Sequence, residues 1–259
     1  MKPVLSIVKI GGNIIENEKE LARFLSLFSQ IKGPKILVHG GGKKATAMAD
    51  KLGIKTAMVE GRRITDKKSL EVAVMTYGGL VNKSIVASLQ ALKCNAIGLS
   101  GADAGIIKAV KRPVEQIDFG FVGDIESVHT QSLLTFLQTG LVPVFCALSH
   151  DGKGQLLNTN ADTIASELAI AMTKEYTTSL YYCFEKPGVL SDISSENSVI
   201  SHINKQTYFS LLKEHTIAGG MLPKLENCFY ALDHSVHKVC IGNIQMLLPN
   251  SSTYTTLTL

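Results

Sequence analysis

Apolar residues along the chain follow two spacings that alternate from one end to the other. Short continuous apolar runs, of which 4–10 is the first, are followed by segments where apolar residues recur every three or four positions, as Leu21, Phe24 and Phe28 do. The first spacing is typical of buried strands, and the second of helices that pack one face on a sheet. Their alternation predicts an α/β fold with three layers, α/β/α, around a central, mainly parallel sheet.

The same spacings assign the individual elements. Strands are predicted at 4–10, 35–39, 96–100, 142–148, 179–184 and 236–241, and helices at 18–30, 43–52, 67–92, 131–139, 160–173, 205–214 and 223–232. Gly78-Gly79 predicts a break in the longest helix, and glycines near 120 predict an antiparallel hairpin within 105–125. The tail after Pro249 is predicted to fray or to form a weak edge strand. A polar turn at 149–154 predicts a boundary between an N-terminal lobe, 1–150, and a C-terminal lobe, 151–259.

The composition narrows the class of protein. Of 259 residues, 45% are hydrophobic and 19% are charged, which excludes an intrinsically disordered chain. The longest apolar stretches, such as 141–148, are well short of the roughly 18 residues that span a membrane. The formal charge of +4 is not concentrated in one tract. That distribution argues against nucleic acid as a partner and suits a small anionic substrate.

Cysteine and histidine usage adds two expectations. The five cysteines include no CxxC pair and lie mostly in apolar runs, so they are predicted to be buried free thiols. The histidines show no zinc-ligand spacing, and we assign no protein-built metal site. The first apolar run is interrupted by Lys9 and followed by glycines, which is unlike a signal peptide and leads us to expect a cytoplasmic protein.

Two glycine-rich segments directly follow predicted strands. Lys9-Ile10-Gly11-Gly12-Asn13 ends the first strand, and His39-Gly40-Gly41-Gly42-Lys43-Lys44 joins the second strand to its helix. Ligands collect beyond the carboxyl ends of parallel strands, where glycines expose backbone N–H groups to an anion. A helix N-terminus adds partial positive charge at the second segment. Both segments therefore indicate a phosphate-binding site.

Three further segments place polar side chains at predicted helix starts. They are Gly61-Arg62-Arg63-Ile64-Thr65-Asp66, Leu157-Asn158-Thr159-Asn160-Ala161-Asp162 and Gly219-Gly220-Met221-Leu222-Pro223-Lys224. The guanidinium of an arginine in the first matches the geometry of a carboxylate. Asn160 and Asp162 are explained equally well as an N-cap and a first-turn acid. Lys224 opposes the dipole of its own predicted helix, so it lacks a structural reason to be there.

Together these segments resemble the amino acid kinase family, from about Val4 to Lys224. Three more segments, Val81-Asn82-Lys83, Gly98-Leu99-Ser100-Gly101-Ala102-Asp103 and Phe121-Val122-Gly123-Asp124, occur in the family's order and at its spacing. The resemblance implies phosphoryl transfer from MgATP to the side-chain carboxylate of N-acetylglutamate, or another N-acyl-glutamate such as N-succinylglutamate, in arginine biosynthesis. It also implies a substrate-binding, dimerising N-terminal lobe, a nucleotide-binding C-terminal lobe, and one sheet running through both.

The resemblance implies roles for three charged side chains. Lys9 and Lys224 would hold the transferring phosphoryl group, and Asp162 would orient both lysines. These roles make chemical sense, because a glutamyl carboxylate with a pKa of about 4.3 is ionised at neutral pH and needs no general base. The difficulty is to bring two anions together, which cations and aimed N–H donors relieve. Mg²⁺ would be held chiefly by ATP, since the sequence shows no carboxylate cluster.

The remaining roles implied by the resemblance concern binding. Backbone N–H groups would bind phosphate oxygens at Gly11, Gly12 and Gly42. The acyl-glutamate would be bound by Gly41, Gly42, Arg63 and Asn158, with Arg63 on its α-carboxylate. The divergent hairpin region 105–125, which would close over the acyl group, leaves the choice between acetyl and succinyl open.

The chain also departs from the family pattern. The run 182–189, Tyr-Cys-Phe-Glu-Lys-Pro-Gly-Val, replaces a Thr/Ser-Asp-Val/Ile run on the nucleotide side, Ala104 stands where a glycine is common, and the end of the chain is a short polar tail. The start at Met1 leaves no room for the extra helix of arginine-inhibited, ring-forming members, so we expect a homodimer insensitive to arginine.

Alternative hypotheses remain at this point. Other members of the family act on other substrates. Gly40, Gly42 and Ala45, with Glu60 downstream, match a loose dinucleotide pattern, which would suit a nicotinamide-dependent oxidoreductase. The altered run 183–188 would suit a non-catalytic, amino-acid-binding regulator.

Overall fold

A computed structural model describes residues 2–59, 62–214, 216–217 and 221–259. The helices within this part of the chain are α1 (Gly12–Glu16), α2 (Glu18–Gln30), α3 (Gly42–Lys51), α4 (Lys67–Ala73), α5 (Asn82–Ala91), α6 (Thr130–Gln138), α7 (Ala161–Ala171), α8 (Lys205–Lys213) and α9 (Met221–Asp233). The strands are β1 (Val4–Ile10), β2 (Lys35–His39), β3 (Ala57–Val59), β4 (Arg62–Ile64), β5 (Ala96–Leu99), β6 (Ile107–Lys111), β7 (Gly123–Val128), β8 (Val142–Cys146), β9 (Leu148–His150), β10 (Leu156–Asn158), β11 (Thr177–Cys183), β12 (His202–Ile203), β13 (Lys238–Gly242) and β14 (Thr255–Leu257).

The central sheet has eight strands in the order β12-β14-β13-β11-β1-β2-β8-β5. Six neighbouring strands, from β13 to β5, run parallel, and β14 pairs with β13 in the antiparallel direction. The carboxyl ends of β1, β2 and β11 therefore lie side by side at one edge. This is where a parallel sheet offers a ligand site.

Alternate residues of β1 contact helices on opposite faces of the sheet. Leu5 and Ile7 belong to a cluster that includes Ile164 and Leu168 of α7, whereas Val8 and Ile10 belong to a second cluster with buried residues of α2 and α5. Because strand side chains alternate between faces, both faces are covered, and the strand is apolar except at Ser6 and Lys9. The predicted three-layer α/β/α fold with a mainly parallel sheet is confirmed.

The helix predicted at 67–92 is continuous. Between α4 and α5 the chain forms a π-helical segment, Val74–Val81, which contains Gly78 and Gly79. The predicted break is wrong, because the wider turn accommodates both glycines while the flanking segments stay helical. By length and composition this run, 67–91, is the one helix in the described part of the chain that could span a membrane. Leu70, Ile85 and other residues along it are buried in the fold.

A second sheet of four strands, in the order β10-β9-β6-β7, lies outside the central one. Its antiparallel pair β6–β7 confirms the hairpin predicted within 105–125. The strand predicted at 142–148 is wrong in one respect, since it divides at Ala147 into β8 of the central sheet and β9 of this one. The turn at 151–154 joins β9 to β10. The division into two lobes near residue 150 stays a prediction.

The C-terminal tail is an inner strand of the central sheet. β14 lies between β12 and β13, and Thr255 and Leu257 are fully buried. The Thr255 hydroxyl accepts a hydrogen bond from the Val189 N–H at 2.8 Å. The prediction of a frayed or weak edge strand is therefore wrong, because tertiary pairing overrides a polar, threonine-rich sequence.

Candidate active site

Lys9 and Asp162 form an ion pair at the carboxyl end of β1. Lys9 alternates with Leu5 and Ile7, so its side chain is on the sheet face that α7 covers. Asn160 caps α7 by accepting hydrogen bonds from the N–H groups of Asp162 and Thr163, as predicted, which sets the position of the first turn. The Lys9 Nζ lies 2.7 Å from Asp162 Oδ1. Burial raises the pKa of Asp162, but the Lys9 charge and hydrogen bond, together with the Lys224 charge, outweigh it and hold this pKa below its ordinary value.

Tyr182 forms a hydrogen bond to the first turn of α7, which contains Asp162. It is paired in register with Lys9 on the neighbouring strand β11. Its hydroxyl donates to the backbone carbonyl of Asp162 at 3.1 Å and lies 2.7 Å from the Ser166 hydroxyl. Sequence reasoning missed this contact, since a tyrosine in a buried strand is explained by packing alone.

Lys224 approaches the same place from α9. It lies in the first turn of that helix, and its Nζ is 5.0 Å from the centre of the Phe184 ring, just beyond β11. Its charge contributes to the lowered pKa of Asp162. The structure therefore brings the three predicted catalytic residues to one end of the sheet. Gly219 and Gly220, which precede this helix, lie outside the described residues.

The two glycine segments leave open space beside the ion pair. A Cβ atom added to Gly12 or Gly42 would meet no protein atom within 4 Å. The N–H of Gly11, in contrast, donates to the Cys183 carbonyl at 2.9 Å. The expectation that all three N–H groups are available to phosphate is therefore wrong for Gly11. Within the described ranges, the N–H groups of Gly12 and Gly42 have no backbone acceptor.

Gly41 is glycine for a different reason. Its φ of 155° is unfavourable for other residues, and an added Cβ would lie 2.9 Å from the Tyr77 ring. Tyr77 is buried on the π-helical segment. Burial raises the pKa of its phenol, an effect that the nearby Arg63 guanidinium opposes. Sequence reasoning did not single out Tyr77, because nothing in the local pattern predicted the π-helical turn.

The predicted acyl-glutamate residues converge on this loop. The Arg63 guanidinium donates from Nη2 to the Gly42 carbonyl at 2.9 Å and to the Thr46 hydroxyl at 2.6 Å. Asn158 Nδ2 donates to the Thr65 hydroxyl at 3.0 Å, two residues beyond Arg63. The segments around 63 and 158 are therefore tied together next to the glycine loop. Glu60 and Gly61 lie outside the described residues.

A cleft of about 490 Å³ lies on the Lys224 side. Phe184, Val189, Ile217 and Met221 give it apolar walls, and Lys186 adds a cation. A cavity of this size and character suits a small organic ligand. Four of its eleven lining residues belong to the altered run 182–189. Nowhere in the described ranges do three or more His, Cys, Asp or Glu side chains form a group that could hold a metal ion.

The comparisons with known proteins decide the family. A model of the amino acid kinase family matches residues 5–243. The chain belongs to the amino acid kinase family. It is 53% identical over 241 residues to an acetylglutamate kinase of Phocaeicola vulgatus, covering 93% of this chain and 94% of that protein, and 49% identical over 253 residues to one of Bacteroides thetaiotaomicron, covering 98% of both.

Solved structures of this kinase fold are also similar. Carbamate kinase from Giardia lamblia bound to AMP-PNP has a TM-score of 0.71 at 13% identity, with 99% of this chain and 98% of that chain covered. N-acetylglutamate synthase from Neisseria gonorrhoeae, complexed with coenzyme A and N-acetyl-glutamate, has a TM-score of 0.78 at 20% identity. That match covers 100% of this chain and 59% of the synthase. At these identities the likeness concerns the fold.

Proposed function

We propose that this chain is an ATP-dependent kinase that transfers the γ-phosphoryl group of MgATP to the γ-carboxylate of N-acetyl-L-glutamate, a step of arginine biosynthesis. The observation that carries the proposal is the 2.7 Å pair of Lys9 and Asp162 beside two open glycine loops. The proposal is supported by acetylglutamate kinases about half identical over most of the chain. A nicotinamide oxidoreductase gives no role to this pair.

The reaction brings together two anions, the acceptor carboxylate and the γ-phosphoryl group of ATP, and several residues of the chain reduce their repulsion. The acceptor carboxylate is already ionised at neutral pH, so its attack requires no base. The ammonium groups of Lys9 and Lys224 offset negative charge on the transferring group. Asp162 holds Lys9 in place, and its carboxylate compensates the Lys9 charge when no ligand is bound. The N–H groups of Gly12 and Gly42 are placed to donate to phosphate oxygens.

The acceptor would bind on the Arg63 side. The guanidinium already lies on the Gly42 carbonyl, so its remaining nitrogens are placed to hold an α-carboxylate next to the glycine loop. Gly41 and Asn158 would supply N–H donors from the loop and from the end of β10. The acyl group would lie toward the β6–β7 hairpin, and it is this contact that would select acetyl or succinyl.

The nucleotide would bind in the cleft between Phe184 and Met221. The apolar walls suit a base and the open positions at Gly12 and Gly42 leave room for phosphates. Mg²⁺ bound to those phosphates would supply further positive charge against the transferring group. The altered run 182–189 contributes several of the cleft residues, so in this proposal it would contact the nucleotide in place of the usual family sequence.

We further infer that the protein works as a cytoplasmic homodimer on small molecules. Met75 and Leu80 of the long helix are 55% and 52% exposed, and such an apolar surface is suited to a second copy. Light scattering after gel filtration tests this, since a mass near one chain would contradict it.

The activity is tested by incubating the protein with MgATP, hydroxylamine and either N-acetyl- or N-succinyl-glutamate. An acyl phosphate product forms a hydroxamate, which is measured by its iron complex. Hydroxamate with one of the two substrates is the expected result and identifies the acyl group. ATP-dependent thermal protection without hydroxamate from either substrate would favour the non-catalytic regulator instead.

A further inference from the structure

His39 and Asn82 form a buried pair behind the glycine loop, and Gly98 lies against it. They come from three elements: His39 ends β2, Asn82 begins α5, and Gly98 lies in β5. His39 is fully buried and Asn82 is 1% exposed. None of the three faces the Lys9–Asp162 pair, and none has a role in the mechanism above. A buried polar side chain is costly unless hydrogen bonds replace those it made to water, so the partners of His39 and Asn82 matter.

The hydrogen bonds define the state of the imidazole. His39 Nδ1 lies 2.7 Å from the Gly40 carbonyl, which can only accept, so Nδ1 carries the proton. Burial lowers the pKa of His39 to about 4, so the ring is neutral and Nε2 is an acceptor. Asn82 Nδ2 lies 3.0 Å from Nε2 and donates to it. The neighbours therefore select a single tautomer.

The Asn82 amide is likewise oriented by its hydrogen-bond acceptors. Its second Nδ2 hydrogen goes to the Val144 carbonyl at 2.9 Å. A flipped amide would place its oxygen against that carbonyl and against an unprotonated ring nitrogen. Asn82 Oδ1 has no hydrogen-bond partner within the described ranges and lies against Gly98, where an added Cβ would collide with it. Gly98 is thus glycine to admit this amide.

The fixed imidazole sets the orientation of one peptide group, the one that joins Gly40 to Gly41. The chain contains no cis peptide bond in its described part, so the Gly40 carbonyl and the Gly41 N–H point in opposite directions. With the carbonyl held on the buried ring, the Gly41 N–H is aimed away from it. That N–H has no acceptor in the described part of the chain.

We propose that His39, held in one tautomer by Asn82, is a positioning residue that aims the Gly41 N–H at the acyl-glutamate. The inference rests on the proposed function for the identity of that ligand. It assigns a use to Asn82 and Gly98, one residue from each of two sequence segments that the mechanism left without a role. Two replacements of His39 separate the roles of its ring nitrogens. The amide nitrogen of Asn reaches the position of imidazole Nδ1, and the amide of Gln reaches that of Nε2.

The kinetic test compares His39→Asn with His39→Gln. Asn keeps the donor to the Gly40 carbonyl, so kcat/KM for the acyl-glutamate should stay within about threefold of the parent. Gln loses that donor, and kcat/KM should fall by about tenfold or more, in the range of a misaligned hydrogen-bond donor. KM for ATP should change little in both. Cys146→Ala is the matched control, because Cys146 is the buried register partner of His39 on β8.

The outcomes separate positioning from mere stability. Lower melting temperatures in all three variants with unchanged kinetics would overturn the inference, as would equal losses in His39→Asn and His39→Gln. Should His39→Gln not fold, nitrogen NMR of the parent decides the point: the inference requires a neutral ring protonated at Nδ1, and any other tautomer contradicts it. This NMR measurement needs no substrate. A correct tautomer in a protein that makes no hydroxamate would therefore count against the proposed function alone.

Discussion

Lys9 and Asp162 are 153 positions apart in number, yet their charged groups lie 2.7 Å from each other. The side chains are 13% and 18% exposed, so the pair is largely shielded from water. Loss of either partner would leave an uncompensated charge at the end of the sheet, which is more costly here than at the surface. The pair therefore stabilises the carboxyl end of β1 against the first turn of α7, and in the proposed function it also places the Lys9 charge for catalysis.

Replacing either lysine should remove transition-state stabilisation. We expect Lys9→Met and Lys224→Met to lower kcat by roughly 10² or more, as the loss of a transition-state donor does. Both should fold, Lys9→Met with a lower melting temperature because Asp162 loses its partner. Steady-state kinetics in the hydroxamate assay measures this. Lys153→Met, at an exposed turn, is the control and should match the parent. Near-normal rates in both site variants would show that the assigned roles are wrong.

The sequence could predict most of this arrangement. The apolar runs of β1, β2 and β11 are long enough to be read as buried parallel strands, and the carboxyl ends of such strands must meet at one edge. Lys9 and the segment after His39 were therefore expected near one another, whereas Lys224 was expected beside them only through the resemblance to the amino acid kinase family. The N-cap at Asn160 was also predictable, since its side chain needs only the two N–H groups that follow it.

The failures share a physical origin in tertiary contacts. The π-helical segment with Gly78 depends on how the long helix packs, and its wider turn leaves no signature in apolar spacing. β14 is polar and short, and only its partners β12 and β13 make it an inner strand. The Gly11 N–H bonds to Cys183, which is far away in the sequence and becomes a neighbour only when β11 pairs with β1. None of these contacts follows from spacing along one segment.

Two glycines should respond in opposite ways to the same change. Gly42→Ala adds a methyl group that meets no protein atom within 4 Å, so the melting temperature should be unchanged or slightly higher, as for alanine in a helix. The methyl would occupy the open space in which the proposed phosphate group binds, and kcat/KM should fall by about tenfold or more. Gly98→Ala collides with Asn82 Oδ1 and should destabilise the protein by about 1–3 kcal/mol. A large loss of stability in Gly42→Ala would contradict the open space beside Gly42.

Stability should decline as the pH falls from about 6.5 to about 4. Burial lowers the pKa of His39 from 6.5 to about 4, so over this interval the unfolded chain binds a proton that the folded chain does not. This shift corresponds to about 3 kcal/mol of unfolding free energy, present above pH 6.5 and lost toward pH 4. The lowered pKa of Asp162 acts below its ordinary 3.8, outside this interval.

Urea unfolding at pH 7 and pH 4.5 measures that decline. His39→Asn removes the titrating group, so its unfolding free energy should depend less on pH than that of the parent. His202→Asn, at an exposed histidine, should keep the parental slope. Equal slopes in all three proteins would show that His39 titrates normally in the folded chain.

Ala104 should be a site where glycine stabilises the protein. Its φ of 53° and ψ of 21° are left-handed, a conformation that costs a non-glycine residue roughly 1–2 kcal/mol. The side chain is exposed, so its removal loses no packing. Ala104→Gly removes this strain, but glycine loses more backbone entropy on folding, which offsets part of the effect. The net increase in the free energy of unfolding, measured with urea, should be about 0.5–1 kcal/mol. Ala102 is the matched control: its φ of −74° and ψ of −27° are right-handed, so Ala102→Gly should destabilise by a similar amount. The prediction is that the two substitutions change the unfolding free energy in opposite directions. A loss of stability in both variants would contradict it.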